Sequence, residues 1–123
     1  MTFKNIFLII LLTLFFIGCG ANKQIPPIYT WNNYVESSSE YGVKGHEKEV
    51  FEKHVAELQK IILDSKEQHK RVAPGIYAEL GQLLYQSGKK AKAKEYFILE
   101  KTTYSESTVF MDRVIAKLYG EEK

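Results

Sequence analysis

The stretch 74–107 most constrains what this chain can fold into, because it carries the pattern of two interlocking helices. Gly81 on the first helix and Ala93 on the second are small residues that let two helices approach closely. Gly88, between the helices, permits a tight turn. The large residues that fill the remaining space are Leu80, Leu84 and Phe97. The pattern predicts a helix-turn-helix unit.

The same stretch resembles a tetratricopeptide repeat unit. The matching positions are Tyr77, Leu80, Gly81, Leu84, Gly88, Ala93 and Phe97. The sequence departs from that pattern at Glu100, where a small Ala is usual, and at Ser105, where Pro commonly ends the second helix. The resemblance implies a helical hairpin but no particular molecular task, because one fold hosts many functions.

Two further helices are predicted beside this unit, over about 46–69 and 108–119, because apolar residues recur there every three or four positions. The apolar residues are Val50, Phe51, Val55, Leu58, Ile61 and Ile62 in the first and Val109, Phe110, Val114, Ile115 and Leu118 in the second. A solenoid needs about three repeats. We therefore predict an all-α fold, a small helical packet built on one tetratricopeptide-like unit flanked by two further helices.

An aromatic segment precedes these helices and contains the only tryptophan of the chain. Tyr29 and Trp31 alternate as in a strand, whereas Trp31 and Tyr34 share a helical face, so both structures stay open. Such rings either clamp a terminal segment onto the core or form a surface for stacking on a sugar or peptide. A flexible connection is predicted from Ser37, Ser38, Ser39, Gly42 and Gly45.

The N-terminus has the composition of a secretory signal. Lys4 precedes an apolar run from Ile6 to Ile17, interrupted by Thr13, and the run is short for a membrane-spanning helix. Phe16-Ile17-Gly18-Cys19 then resembles the lipobox of bacterial lipoproteins, although Phe16 stands where Leu is favoured. The resemblance implies cleavage before Cys19 and attachment of lipid to its thiol.

These features divide the chain into three parts. Residues 1–18 are predicted to be a lipoprotein signal peptide, 19–27 the lipidated N-terminus and tether, and 28–123 a single helical domain. Gly20 stands where an Asp would resemble an inner-membrane retention signal. We therefore expect a lipid-anchored protein of the bacterial envelope, on the outer membrane and facing the periplasm.

Several classes of function find no support in the sequence. The 17 basic and 15 acidic residues nearly balance, so nucleic acid is not an expected partner. His46, His54 and His69 lack the spacing of metal ligands and are predicted to be solvated residues on helix faces. No nucleophile or acid–base pair can be assembled. We expect no enzyme activity, no cofactor and no metal, and the sequence identifies no small-molecule substrate.

Over most of 19–119 the chain also resembles an uncharacterised family of small bacterial lipoproteins. The shared features are the lipobox, Tyr29-Thr30-Trp31-Asn32-Asn33-Tyr34 and Pro74-Gly75-Ile76-Tyr77-Ala78-Glu79-Leu80-Gly81. In that family the gene commonly accompanies those of other envelope lipoproteins, one of them similar to the curli-secretion pore. The resemblance implies an accessory subunit of an outer-membrane assembly.

Two functions are therefore predicted. The first is a non-catalytic protein-interaction module that docks other envelope lipoproteins, and its candidate contact residues are Tyr29, Trp31, Tyr34, Tyr77, Tyr85 and Tyr96. The alternative is binding of peptidoglycan or another glycan through the Tyr/Trp segment.

Overall fold

The computed structural model describes residues 25–120, together with Phe3 and Asn5. Between residues 25 and 120 the chain forms five α-helices and no strand. The helices are α1 (Tyr34–Lys44), α2 (Lys48–Glu67), α3 (Ile76–Gln86), α4 (Lys90–Thr103) and α5 (Thr108–Tyr119), with a short 3-10 turn at Ser105–Ser107 before α5. The predicted all-α packet is confirmed.

Each helix packs on its neighbours along the chain, so that α1 pairs with α2 and α3 pairs with α4. The α3–α4 pair is the predicted helix-turn-helix unit. An added Cβ at Gly81 would lie 2.8 Å from the Phe97 ring and 3.2 Å from the Ala93 carbonyl oxygen. Gly88 has a φ of 82° in the turn that joins the helices. Both glycines therefore have the roles that their positions predict.

The core lies where α2, α3 and α4 meet, and α5 adds one buried side chain, that of Met111. Its largest fully buried apolar residues are Leu58, Ile61, Ile76, Leu80, Leu84 and Phe97. At three- and four-residue steps these residues form one face of each helix. α2 is shorter than predicted, and His69, with a φ of 52°, follows its end.

Helix α1 corrects the prediction of a flexible connection. The run Ser37–Ser39 and Gly42 lie inside this helix. Serine and glycine have low helix propensity, but packing on the rest of a protein routinely overrides propensity. Here Tyr34 and Tyr41 pack against the core, and Ser37 is buried. The packet consequently has one helix more than expected.

Two predicted features lie outside the described residues. These are Cys19, with the tether as far as residue 24, and the signal peptide 1–18 apart from Phe3 and Asn5. Among the helices that are described, none combines the length and the apolar character needed to cross a bilayer.

Candidate docking surface

The aromatic segment lies on the domain and is held by side-chain hydrogen bonds. The Thr30 hydroxyl donates to Gln68 over 3.2 Å, and the backbone N–H of Asn33 donates to Glu57 over 2.8 Å. Thr30 itself is buried. These bonds hold the segment against α2. The sequence left two alternatives open, and this arrangement is the one in which a terminal segment is held on the core.

Three rings of this segment contact one another in order along the chain. The centroid of the Trp31 ring lies 6.2 Å from that of Tyr29 in an edge-to-face arrangement and 5.5 Å from that of Tyr34. Tyr29 and Tyr34 are half-buried against the core, whereas 42% of Trp31 is exposed. Trp31 is therefore the one ring of the three that presents a large surface to solvent.

A polar cluster under this segment joins α1, α2 and α3. His54 is fully buried, which corrects its prediction as a solvated residue. Its Nδ1 lies 2.8 Å from the Ser37 hydroxyl, and its Nε2 lies 2.8 Å from Oε1 of Glu79. The Tyr34 hydroxyl donates to Oε2 of the same carboxylate over 2.9 Å. Burial, followed by this bond to Glu79, raises the pKa of Tyr34.

This cluster connects a serine, a histidine and a carboxylate, but its serine is not placed for nucleophilic attack. Ser37 is only 3% exposed and lies inside α1. The Tyr41 ring stacks on the His54 ring at 4.9 Å between centroids. The cluster can therefore satisfy buried polar groups and join three helices, which is a structural role.

The remaining predicted tyrosines do not share one surface. Tyr77 and Tyr96 stack on each other at 6.2 Å across α3 and α4, and burial raises the pKa of Tyr77. Tyr85 lies eight residues after Tyr77, which places it about 12 Å farther along the helix. Its hydroxyl bonds to the carbonyl oxygen of Leu118 on α5. The six candidate residues thus fall into three separate groups.

A groove between α3 and α5 is the surface that the sequence did not reveal. It encloses 310 Å³, and its lining includes Gln82, Tyr85, Phe110, Val114 and Leu118. Phe110, predicted to belong to the apolar face of α5, is 65% exposed. Residues 110, 114 and 118 repeat every four positions, so they form one row along the helix. Of the predicted tyrosines, Tyr85 lines this groove.

Glu100, where the tetratricopeptide pattern has a small residue, is a buried contact of the α3–α4 unit. One oxygen of its carboxylate accepts the backbone N–H of Gly75 over 2.8 Å. Gly75 precedes the first residue of α3, where a negative charge is favourable to the helix dipole. Glu100 therefore caps α3 from the following helix.

Among residues 25–120, His, Cys, Asp and Glu form no group of three that could hold a metal ion. Comparison with known families gives one result. A domain of unknown function, DUF4810, matches residues 28–114. The match begins at the aromatic segment and ends within α5, so it covers well over half of the chain. The protein belongs to this family. No curated protein and no solved structure matches the chain.

Proposed function

We propose that this protein is a non-catalytic docking subunit of a bacterial envelope assembly and that it binds its partner through the α3–α5 groove. The observation that carries the proposal is the row Phe110, Val114 and Leu118, which lines a concave surface and keeps Phe110 65% exposed. A contiguous apolar row on a concave surface, unlike a single exposed side chain, is typical of an interaction surface.

The order of the helices supports this proposal. Two helical hairpins, α1–α2 and α3–α4, follow one another, and α5 packs on α4 as a first helix of a third hairpin would. Stacked helical repeats form extended concave binding surfaces. In this chain α3 and α5 hold the first position of successive hairpins, and the groove lies between them.

We further propose that Cys19 carries the lipid that holds the subunit at the outer membrane facing the periplasm. The lipobox-like residues Phe16-Ile17-Gly18-Cys19 support this anchor. The segment that follows as far as Pro27 has a stretched length on the order of 25 Å, which lets the domain hang clear of the bilayer. The family resemblance supports a pore-forming envelope lipoprotein as the partner.

Photo-crosslinking in intact cells tests the docking role. A photoreactive phenylalanine analogue placed at Phe110 should crosslink one defined envelope protein. The same analogue at Leu63, which is 54% exposed on α2 and outside the groove, is the matched control and should not. The docking proposal fails if Phe110 gives no discrete product, or if both positions give the same products.

The exposed ring of Trp31 favours glycan binding as a second candidate function. A partly exposed indole can stack on a sugar ring while its neighbours Tyr29 and Tyr34 hold it in place. Sedimentation with purified peptidoglycan tests this role. Binding that Trp31→Ala abolishes, without a lower melting temperature, would support it. Unchanged binding with a lower melting temperature would assign Trp31 to packing alone.

A further inference from the structure

Three cations lie near the α3–α5 groove, outside its lining. Lys117 follows Phe110 by seven residues and Arg113 follows it by three, so both lie beside Phe110 on the exposed side of α5. Within the described residues, neither cation pairs with a carboxylate. At the end of the groove, the Lys90 ammonium lies 5.3 Å from the centroid of the Tyr85 ring.

One carboxylate in the groove opposes these cations. Glu79 lines the groove, and hydrogen bonds to His54 on α2 and Tyr34 on α1 hold its carboxylate toward those helices, away from α5. Asp112, also on α5, pairs with Lys101 outside the groove. Arg113, Lys117 and Lys90 outnumber Glu79 and the exposed Glu106, which lies four residues before Phe110. The net charge around the groove is therefore positive, and a complementary partner carries negative charge there.

Two glutamines line the opposite, α3 side. The side chains of Gln82 and Gln86 are exposed and one helical turn apart, a distance of about 6 Å. Within the described residues, neither amide bonds to another group of the protein. Backbone groups on one side of an extended chain repeat about every 6.8 Å, so they match this spacing. A helix has no such groups free along its length.

We infer that the groove binds an extended, acidic segment of a partner protein. Its apolar side chains lie on Phe110, Val114 and Leu118, its carboxylates face Arg113 and Lys117, and its backbone meets the two glutamines. This inference rests on the proposed docking function and specifies the chemistry of the partner.

A second groove lies between α2 and the α3–α4 turn. It encloses 390 Å³, and its lining includes Phe51 and Val55. Its charged lining residues are Lys48, Glu52 and Lys89, and Lys48 pairs with Glu52. We base the choice of an acidic partner on the two cations of α5, Arg113 and Lys117, which pair with no carboxylate in the part of the chain that the structure describes.

Two synthetic peptides test the inference. The acidic probe is Gly-Glu-Leu-Asp-Pro-Leu-Glu-Leu-Asp-Gly, and the basic probe has Lys in place of each acidic residue. Binding to the full chain, purified in detergent, is measured by fluorescence anisotropy. The acidic probe should bind at least about fivefold more tightly, and the preference should largely vanish in about 0.5 M salt, where exposed charges are screened.

Charge-reversal variants test whether Arg113 and Lys117 cause the preference for the acidic probe. The double variant Arg113→Glu and Lys117→Glu should remove the preference for the acidic probe. The double variant Lys44→Glu and Lys66→Glu changes the net charge equally on α1 and α2 and should retain the preference. Equal binding of the two probes, binding of neither, or the same loss in both variants would overturn the inference.

The peptide-binding experiment and the crosslinking experiment can fail independently of each other. If the analogue at Phe110 crosslinks one envelope protein while the probes show no acidic preference, the docking function stands and the acidic partner is wrong. If Phe110 yields no product, the docking function fails whatever the probes do.

Discussion

At the scale of single residues, the His54 cluster holds α1 in place. Both ring nitrogens of His54 are hydrogen-bonded, one to α1 through Ser37 and one to α3 through Glu79. A neutral imidazole with its proton on Nε2 donates to Glu79 and accepts from the Ser37 hydroxyl, so that both ring nitrogens have a partner. Removal of one member leaves each group that was bonded to it without that partner.

We predict that His54→Ala lowers the free energy of unfolding by about 2–4 kcal/mol, because it leaves a cavity and an unpaired Ser37 hydroxyl. Urea unfolding followed by circular dichroism measures this loss. His46→Ala, at an exposed position before α2, is the control and should change stability by less than about 0.5 kcal/mol. Equal effects of the two substitutions would contradict a role for the buried cluster.

Tyr104 gives a prediction of pH dependence. Burial first, then the nearby Tyr29 hydroxyl, raises the pKa of Tyr104 from 10.0 to about 12, while Arg71 acts in the opposite direction. Its hydroxyl donates to the carbonyl oxygen of Val72 and is buried. Between these two pKa values the folded chain holds a proton that the unfolded chain has released. Stability from this group is therefore full below pH 10 and is lost toward pH 12.

The measurement compares the wild type with Tyr104→Phe by urea unfolding across this pH range. The wild type should lose more stability than the variant, by up to about 1.4 kcal/mol per pH unit, since one proton is involved. Parallel curves for the two proteins would show that Tyr104 ionises alike in the folded and unfolded chains.

At the scale of helices, packing and propensity compete at Gly42 and Gly81, which lie inside the described helices α1 and α3. An added Cβ at Gly81 would crowd the ring of Phe97, which is 2% exposed and belongs to the core. Gly42, in the last turn of α1, has nothing within 4 Å of an added Cβ. Substitution of alanine for glycine is therefore expected to change the stability in opposite directions at the two positions.

We predict that Gly81→Ala destabilises the protein by about 1–2 kcal/mol, because crowding against Phe97 exceeds the gain in helix propensity. Gly42→Ala should instead stabilise it by about 0.5–1 kcal/mol. Thermal unfolding of both variants beside the wild type provides the measurement. A lower melting temperature for Gly42→Ala, or a higher one for Gly81→Ala, would contradict the packing described above.

The sequence predicts the α3–α4 unit well because its signals are local. Gly81, Gly88 and Ala93 specify a close approach and a turn within one short stretch. It does not predict α1, whose helix depends on contacts with residues of α2 and α3. His54 shows the same limitation, since its partner Glu79 is 25 residues away. Periodicity alone also cannot show that Phe110 stays exposed while Met111 is buried.

At the scale of the whole molecule, the candidate site differs from its sequence prediction. Tyr29, Trp31 and Tyr34 form a clamp along α2, and Tyr77 and Tyr96 pair across α3 and α4. A cluster of large aromatic residues in a sequence suggests a binding surface, but most of these rings are half-buried against the hydrophobic core. The groove instead depends on how α3 and α5 are placed by α4, which lies between them in the chain, and no local pattern encodes that placement.

The proposed anchor gives the prediction that belongs to the whole molecule. If Cys19 is acylated, several long acyl chains add about 0.8 kcal/mol for each buried methylene, enough for stable membrane attachment. The wild type should sediment with membranes, resist extraction by salt and dissolve in detergent. Mass spectrometry of the mature N-terminus should find Cys19 as the first residue, carrying diacylglycerol and an N-acyl chain.

Cys19→Ala separates the anchor from the fold. The variant should lack the lipid, while its circular dichroism matches that of the wild type, because residues 28–114 form the family domain and its core. Trp31→Ala, which leaves Cys19 intact, is the control and should stay with the membrane fraction. An unmodified Cys19 in the mature wild type, or a mature chain that begins elsewhere, would contradict lipidation. Without the lipid, a tether on the order of 25 Å would no longer confine the domain to the membrane surface. The encounter between the groove and an envelope partner would then require a different means of bringing the two together.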